Sequence, residues 1–153
     1  MGTKKYRLTG NHIKRGEKIL YQIEALKDFG DVKAGDLGGY IESEENLSLY
    51  DNAWVYGDAQ VLGNGQVFGD AQIKSARDYI VFKNWWSSGR YFTWTRSNNM
   101  WKVGCFYGTG EELIKKAYND SEISGREYER IVRYVESILA DEKRKENEPI
   151  GIK

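Results

Sequence analysis

The chain has 153 residues, no net formal charge and a single cysteine, and it contains no apolar run of about 18 residues. These features argue against an intramolecular disulfide and a membrane-spanning helix, and the polar start MGTKKYRLTG lacks the apolar segment of a secretion signal. We therefore expect a protein of the bacterial cytoplasm, with no membrane partner, that forms one domain or two small ones.

The charges are segregated along the chain. Residues 1–18 carry six cations against Glu17, and residues 28–73 carry nine acids against Lys33. One interpretation is that the acids are solvated turn residues. The other is an acidic face that competes with nucleic acid for the basic groove of a protein. For the second interpretation the candidate partner-binding acids are Glu42, Glu44, Glu45, Asp51, Asp58 and Asp70.

The N-terminal segment, residues 1–27, is predicted to form a small β cap. Its strand candidates are Lys5–Leu8 and Ile19–Leu26, and the polar stretch Asn11–Gly16 between them reads as a turn. Glycines in residues 28–48 predict tight turns that lead into the next segment.

Residues 49–78 repeat every six positions, which is typical of a solenoid. An aliphatic residue opens each hexad, and a tiny residue follows four places later in the first four hexads. The pattern predicts a short left-handed-type β-helix, with the aliphatic side chains inside and the tiny residues at the corners. The structural repeat residues are Leu49, Val55, Val61, Val67 and Ile73, with Ala53, Ala59, Gly65 and Ala71. With the β cap they make a first predicted domain, residues 1–78.

The remaining residues, 79–153, predict a second, α+β domain. Alternating β-branched and aromatic residues favour an antiparallel meander of three strands, Tyr79–Phe82, Arg90–Arg96 and Met100–Val103. Capping-box patterns beginning at Thr109 and at Ser124 predict two helices after the meander.

Two stretches carry a resemblance to known proteins. The run from Ala25 to Ile41, feeding into the hexads, resembles the opening of hexapeptide-repeat β-helix proteins, which are common in phages and prophages and are described as transferases or polymer-forming proteins. The run from Gly104 to Glu112 is similar to the end of many small phage proteins, where a GCFxGT motif opens a helical tail. The resemblance implies a phage or mobile-element origin and a β-helix, and by association it raises an anti-CRISPR or other anti-defence role.

Candidates for catalysis are few. Hexapeptide-repeat acyltransferases resemble one another in using a histidine base at a subunit interface, but the one histidine here, His12, lies outside the repeat. Only His12 could serve as the base that activates the Cys105 thiol. One histidine and one cysteine are too few ligands for a zinc site. We therefore expect no catalytic, cofactor-binding or metal-binding residues, and acyltransfer remains an alternative.

Aromatic and basic residues mix between positions 83 and 102, where core packing, a protein interface and nucleic-acid binding are all possible. Trp85 and Trp86 are adjacent in a predicted loop, so both cannot easily point inward, and with Arg90 and Arg96 they are candidates for partner binding. The favoured hypothesis is a non-enzymatic phage protein that inhibits a host defence nucleoprotein, such as a CRISPR effector, through protein–protein contacts. Alternatives are a self-assembling homo-oligomer and the acyltransferase, and nucleic acid is a less favoured partner.

Overall fold

A computed structural model describes residues 3–146 of the chain. The chain divides into two compact units, Met1–Gly108 and Thr109–Lys153, which are described separately. The domain boundary predicted after Asp78 falls inside the first unit.

The first unit begins with a four-stranded mixed sheet. The first six strands are β1 Tyr6–Arg15, β2 Lys18–Ala25, β3 Leu37–Ile41, β4 Trp54–Val55, β5 Gln60–Val61 and β6 Gln72–Ile73. Strands β1, β2 and β3 are antiparallel neighbours in the mixed sheet, and β5 pairs with β3 in parallel through Tyr40 and Gln60. A parallel pair, β4 with β6, forms a second sheet.

The polar turn predicted over Asn11–Gly16 is wrong for most of its length. β1 continues to Arg15, and the chain reverses at Gly16, whose φ of 62° suits glycine. Polar residues can continue β1 because it is the edge strand of its sheet, with both faces largely solvent-exposed beyond residue 9.

The predicted left-handed-type β-helix is also wrong, because the described residues form no repeat β-helix. The parallel pairings are only two residues long, as in Trp54–Val55 with Gln72–Ile73, and Leu47 meets Val67 as an isolated bridge. Glycine turns follow β4 and β5, with positive φ at Gly57 and Gly63, and a third such turn at Gly69 precedes β6. Moreover β3, which receives one of these parallel strands, pairs antiparallel to β2 on its other edge.

The repeat residues form a core even though they form no solenoid. The aliphatic and tiny residues of the hexads are buried, except Leu49, which is half-buried and packs against the same cluster. They pack with residues of the N-terminal hairpin such as Tyr6 and Ile23, and with the Trp54 ring. The periodicity therefore identified which side chains are buried and misidentified the backbone path that buries them.

The first unit ends in an antiparallel meander of four strands in the order β10-β9-β8-β7. The strands are β7 Tyr79–Lys83, β8 Tyr91–Thr95, β9 Met100–Val103 and β10 Phe106–Gly108. The first three agree with the predicted meander, and β10 was not predicted. On one face Thr93 Oγ1 accepts a hydrogen bond from the Gln66 amide at 3.0 Å, so this face lies against the hexad segment.

The second unit contains two helices, α1 Gly110–Asp120 and α2 Glu122–Glu146. The predicted capping box of α1 is confirmed, because the Thr109 hydroxyl accepts from the Glu112 amide and the Glu112 carboxylate accepts from the Thr109 amide. The predicted start of α2 at Ser124 is wrong, because the helix begins at Glu122.

Candidate protein-binding surface

The β7–β8 hairpin ends in a loop whose backbone is tied down by local hydrogen bonds. The Asn84 amide donates to the Arg90 carbonyl at 2.9 Å, and the Asn84 carbonyl accepts from Ser87 at 3.1 Å and from Gly89 at 3.3 Å. Gly89 has a φ of 76°, which a residue with a Cβ rarely adopts. We call residues 83–91 the hairpin tip, and these bonds give its backbone a defined shape.

The hairpin tip presents a tryptophan to solvent. The Trp85 residue is 69% exposed, the highest value among the large exposed hydrophobic residues of the described chain, whereas Trp86 is half-buried. The two rings lie edge to face, with centroids 5.7 Å apart and planes 86° apart. Trp86 thus supports one side of the Trp85 ring, which orders the exposed side chain at low entropic cost.

The surroundings of this tryptophan in the hairpin tip are cationic and aromatic. Lys83 and Arg90 are exposed, residues 83–91 contain no acid, and Tyr91, opposite Lys83 across the strands, is 43% exposed. In the sequence, Lys83 and Tyr91 belong to the mixed basic and aromatic stretch for which nucleic-acid binding is one interpretation. The register of β7 and β8 places these two residues directly opposite each other across the strands.

Other aromatic residues of this region pack inside the molecule. Trp94, Trp101 and Phe92 are almost completely buried, and the Trp94 indole N–H donates to Asn99 Oδ1 at 2.7 Å. Arg96, a candidate partner-binding residue, has its guanidinium 5.2 Å from the Trp94 ring centroid and donates to the Arg77 carbonyl at 2.9 Å. The Arg96 guanidinium therefore has partners within the first unit, and Arg96 lies outside the hairpin tip.

Three of the six candidate acids, Glu42, Glu44 and Asp51, contact the basic N-terminal segment. The Gly63 amide donates to Glu42 at 2.7 Å, and this bond together with Lys18 at 3.3 Å holds the pKa of Glu42 below its ordinary value. Glu44 pairs with Lys4 at 2.9 Å. Glu42 and Glu44 of the acidic segment therefore pair with lysines of the basic N-terminal segment.

Asp51 and Asp70 also have partners within the fold. Asp51 accepts from the Gly69 amide at 2.6 Å and pairs with the fully buried Lys5, whereas Asp70 accepts from the Asn98 amide group at 2.9 Å. Glu45 and Asp58 are exposed. The structure thus brings Trp85, Trp86 and Arg90 together in one loop, and it distributes the acids over turns and ion pairs elsewhere in the first unit.

His12 and Cys105, the two residues considered for catalysis, are both exposed. His12 Nδ1 lies 3.1 Å from the Gly10 carbonyl oxygen, two residues away on the same strand. Cys105 is exposed in the turn between β9 and β10. Across residues 3–146, no group of three or more His, Cys, Asp or Glu side chains is arranged to hold a metal ion.

Neither helix of the described chain combines the length and apolar composition required to cross a bilayer. Comparison with protein families found no family model that matches the chain, and no curated protein is similar to it in sequence.

Proposed function

We propose that this protein is a non-enzymatic binding protein that attaches to another protein through the hairpin tip. The observation that carries the proposal is the exposure of Trp85 on a loop whose backbone is fixed by hydrogen bonds to Asn84. Tryptophan is enriched among the residues that dominate binding energy, because it buries a large area when a partner covers it.

The charge of the hairpin tip restricts the partner. Lys83 and Arg90 flank the two tryptophans, and no carboxylate in residues 83–91 neutralises them. A complementary partner surface is therefore an apolar pocket with an acidic rim. A stacking site for single-stranded nucleic acid would use the same residue types, so the experiment must separate the two partners.

The biological setting we propose is that of a phage or mobile-element protein that inhibits a host defence nucleoprotein, such as a CRISPR effector. This setting rests on the resemblance of residues 104–112 to phage proteins. The acidic segment contributes less to the contact in this proposal than the hairpin tip, because Glu42, Glu44 and Asp51 already have partners within the fold.

The test is affinity capture from a bacterial lysate, with and without added nuclease, comparing the wild-type protein with Trp85→Ala. Tyr50→Ala is the matched control, since Tyr50 is also a large exposed aromatic residue but lies outside the hairpin tip. We expect a protein that is captured by the wild type and by the control and lost with Trp85→Ala. If nuclease abolishes the capture, the site binds nucleic acid instead. Equal capture by the wild type, Trp85→Ala and Tyr50→Ala would refute the proposal.

A second candidate function, self-assembly, is favoured by one observation. Within residues 3–146, β1 is a ten-residue edge strand whose outer edge pairs with no other strand, and a second copy could add there. Two antiparallel copies of β1 would bring Lys14 and Arg15 near like charges, so added salt should strengthen such a dimer. Light scattering at low and high salt tests this, and a monomer at both would eliminate the candidate.

A further inference from the structure

The first unit contains a cleft of about 470 Å³ that the proposed function does not use. Its walls come from three segments that are distant in sequence: the end of β1, the turn and strand at residues 58–62, and residues 74–79. The cleft has the size range of small-molecule sites, which measure about 300–1,000 Å³.

Two cations line the cleft without a carboxylate partner in the described chain. Lys4, Lys5, Arg7 and Lys18 all have ion pairs, but Arg15 and Lys74 have none within 4.0 Å. Arg15 uses one guanidinium N–H on the Gln60 side-chain oxygen, and Lys74 Nζ lies 5.6 Å from the Tyr56 ring centroid. Most N–H donors of both groups therefore remain available to an anion in the cleft.

The other lining groups favour a molecule larger than a simple anion. The Ser75 hydroxyl accepts from the Arg77 amide, which leaves its own O–H free to donate to a ligand. Asp58 is the carboxylate among the described residues that line the cleft, and it can accept from a ligand hydroxyl or amino group. Leu62 and the half-buried Tyr79 ring provide apolar surface.

We propose that this cleft binds a small phosphorylated molecule of the mononucleotide class. Arg15 and Lys74 hold the phosphate, with the Ser75 hydroxyl as a further donor. Asp58 accepts from the sugar or base, and the body of the ligand lies against Leu62 and Tyr79. The site was not apparent in the sequence because its two cations are 59 positions apart and line one cleft only in the folded chain.

The experiment is calorimetric titration of the full-length protein with adenosine 5′-monophosphate, inorganic phosphate and adenosine. We expect the monophosphate to bind more tightly than phosphate, and adenosine to bind least. Arg15→Gln and Lys74→Gln should each weaken monophosphate binding about tenfold, because each removes a charged hydrogen bond to the phosphate. Added salt should weaken it as well.

Lys14→Gln is the matched control, since it removes a cation next to Arg15 that does not line the cleft. It should leave the affinity unchanged. If Arg15→Gln fails to fold, as judged by circular dichroism, the exposed Lys74 provides the decisive variant. The proposal is overturned if the monophosphate does not bind at millimolar concentration, if it binds no tighter than phosphate, or if the folded cleft variants bind as the control does.

Discussion

At the residue scale, Lys5 shows how the basic N-terminus stabilises the first unit. Its side chain is fully buried, and Nζ donates to the backbone carbonyls of Asp51 and Ala53 at 2.6 Å each and to Asp51 Oδ1 at 3.2 Å. The ammonium also lies 5.1 Å from the Phe29 ring centroid. All three N–H donors are thus satisfied, which a buried ammonium requires.

Burial nonetheless lowers the pKa of Lys5 from 10.5 to about 8, although Asp51 opposes the shift. Between these values the unfolded chain binds more protons than the folded chain. The free energy of unfolding should therefore rise with pH in that window, by at most about 1.4 kcal/mol per pH unit from this group. Near pH 10 the trend should reverse, since burial raises the pKa of Tyr56 to about 12 while the unfolded phenol ionises near 10.

Urea denaturation between about pH 8 and pH 9.5 measures this slope. Lys5→Met should remove the contribution, and Lys14→Met, which changes an exposed lysine on the same strand, should keep it. An identical slope in both variants would show that Lys5 does not titrate in this range.

At the element scale, β3 depends on Gly38 and Gly39, a pair whose sequence predicts a tight turn. A Cβ on Gly39 would meet the Ala59 carbonyl oxygen and would lie 2.7 Å from Val55 Cγ1. The absence of a side chain allows β3 to approach the hexad segment, where the Tyr40 amide donates to the Ala59 carbonyl at 2.9 Å. The sequence shows a glycine pair, and only the packed structure shows that backbone approach, not a turn, requires it.

Gly39→Ala should therefore lower the free energy of unfolding by about 1–3 kcal/mol, because the backbone or Val55 must move. Gly10→Ala is the comparison, since a Cβ there meets nothing within 4 Å, and it should change stability by less than about 0.5 kcal/mol. Chemical denaturation of both variants gives the two values. Equal effects would mean that close approach does not constrain β3.

The hexad repeat illustrates what a sequence pattern can predict about an element. Val55, Val61, Val67 and Ile73 are fully buried, as the periodicity requires. The pattern did not predict the partner strands, because β4 and β6 pair with each other whereas β5 pairs with β3, which lies outside the hexads. Local propensity likewise identified the cap at Thr109 but wrongly placed the start of α2 at Ser124, whereas the helix begins at Glu122.

For the whole molecule, folding brings part of the basic N-terminal segment against part of the acidic segment. Three ion pairs join N-terminal lysines to the acidic segment: Lys4 with Glu44, Lys5 with Asp51 and Lys18 with Glu42. The two residues of each pair are at least 24 positions apart in the sequence. Long-range pairing of this kind cannot be read from net charge per segment. The sequence did mark Trp85 and Trp86 as a candidate site, because adjacent tryptophans in a loop cannot both be buried easily.

This arrangement separates two accounts of binding. If the acidic segment made the main contact with a basic groove, reversing the exposed Glu45 should weaken binding strongly. If the hairpin tip makes the contact, Glu45→Lys should alter the captured amount by no more than about twofold, an effect of less than 0.5 kcal/mol. Quantitative capture of a partner by wild type and Glu45→Lys at physiological salt measures the difference. Loss of capture with Glu45→Lys would show that the acidic segment makes the main contact with the partner.

The central claim is that Trp85 anchors the partner. Calorimetric titration of the purified captured protein with wild type and Trp85→Ala tests it most directly. We predict that the Kd rises at least about 30-fold in the variant, the loss of about 2 kcal/mol expected for a buried interfacial tryptophan, with no change in unfolding free energy beyond about 0.5 kcal/mol. An unchanged Kd in a normally folded variant would contradict the claim.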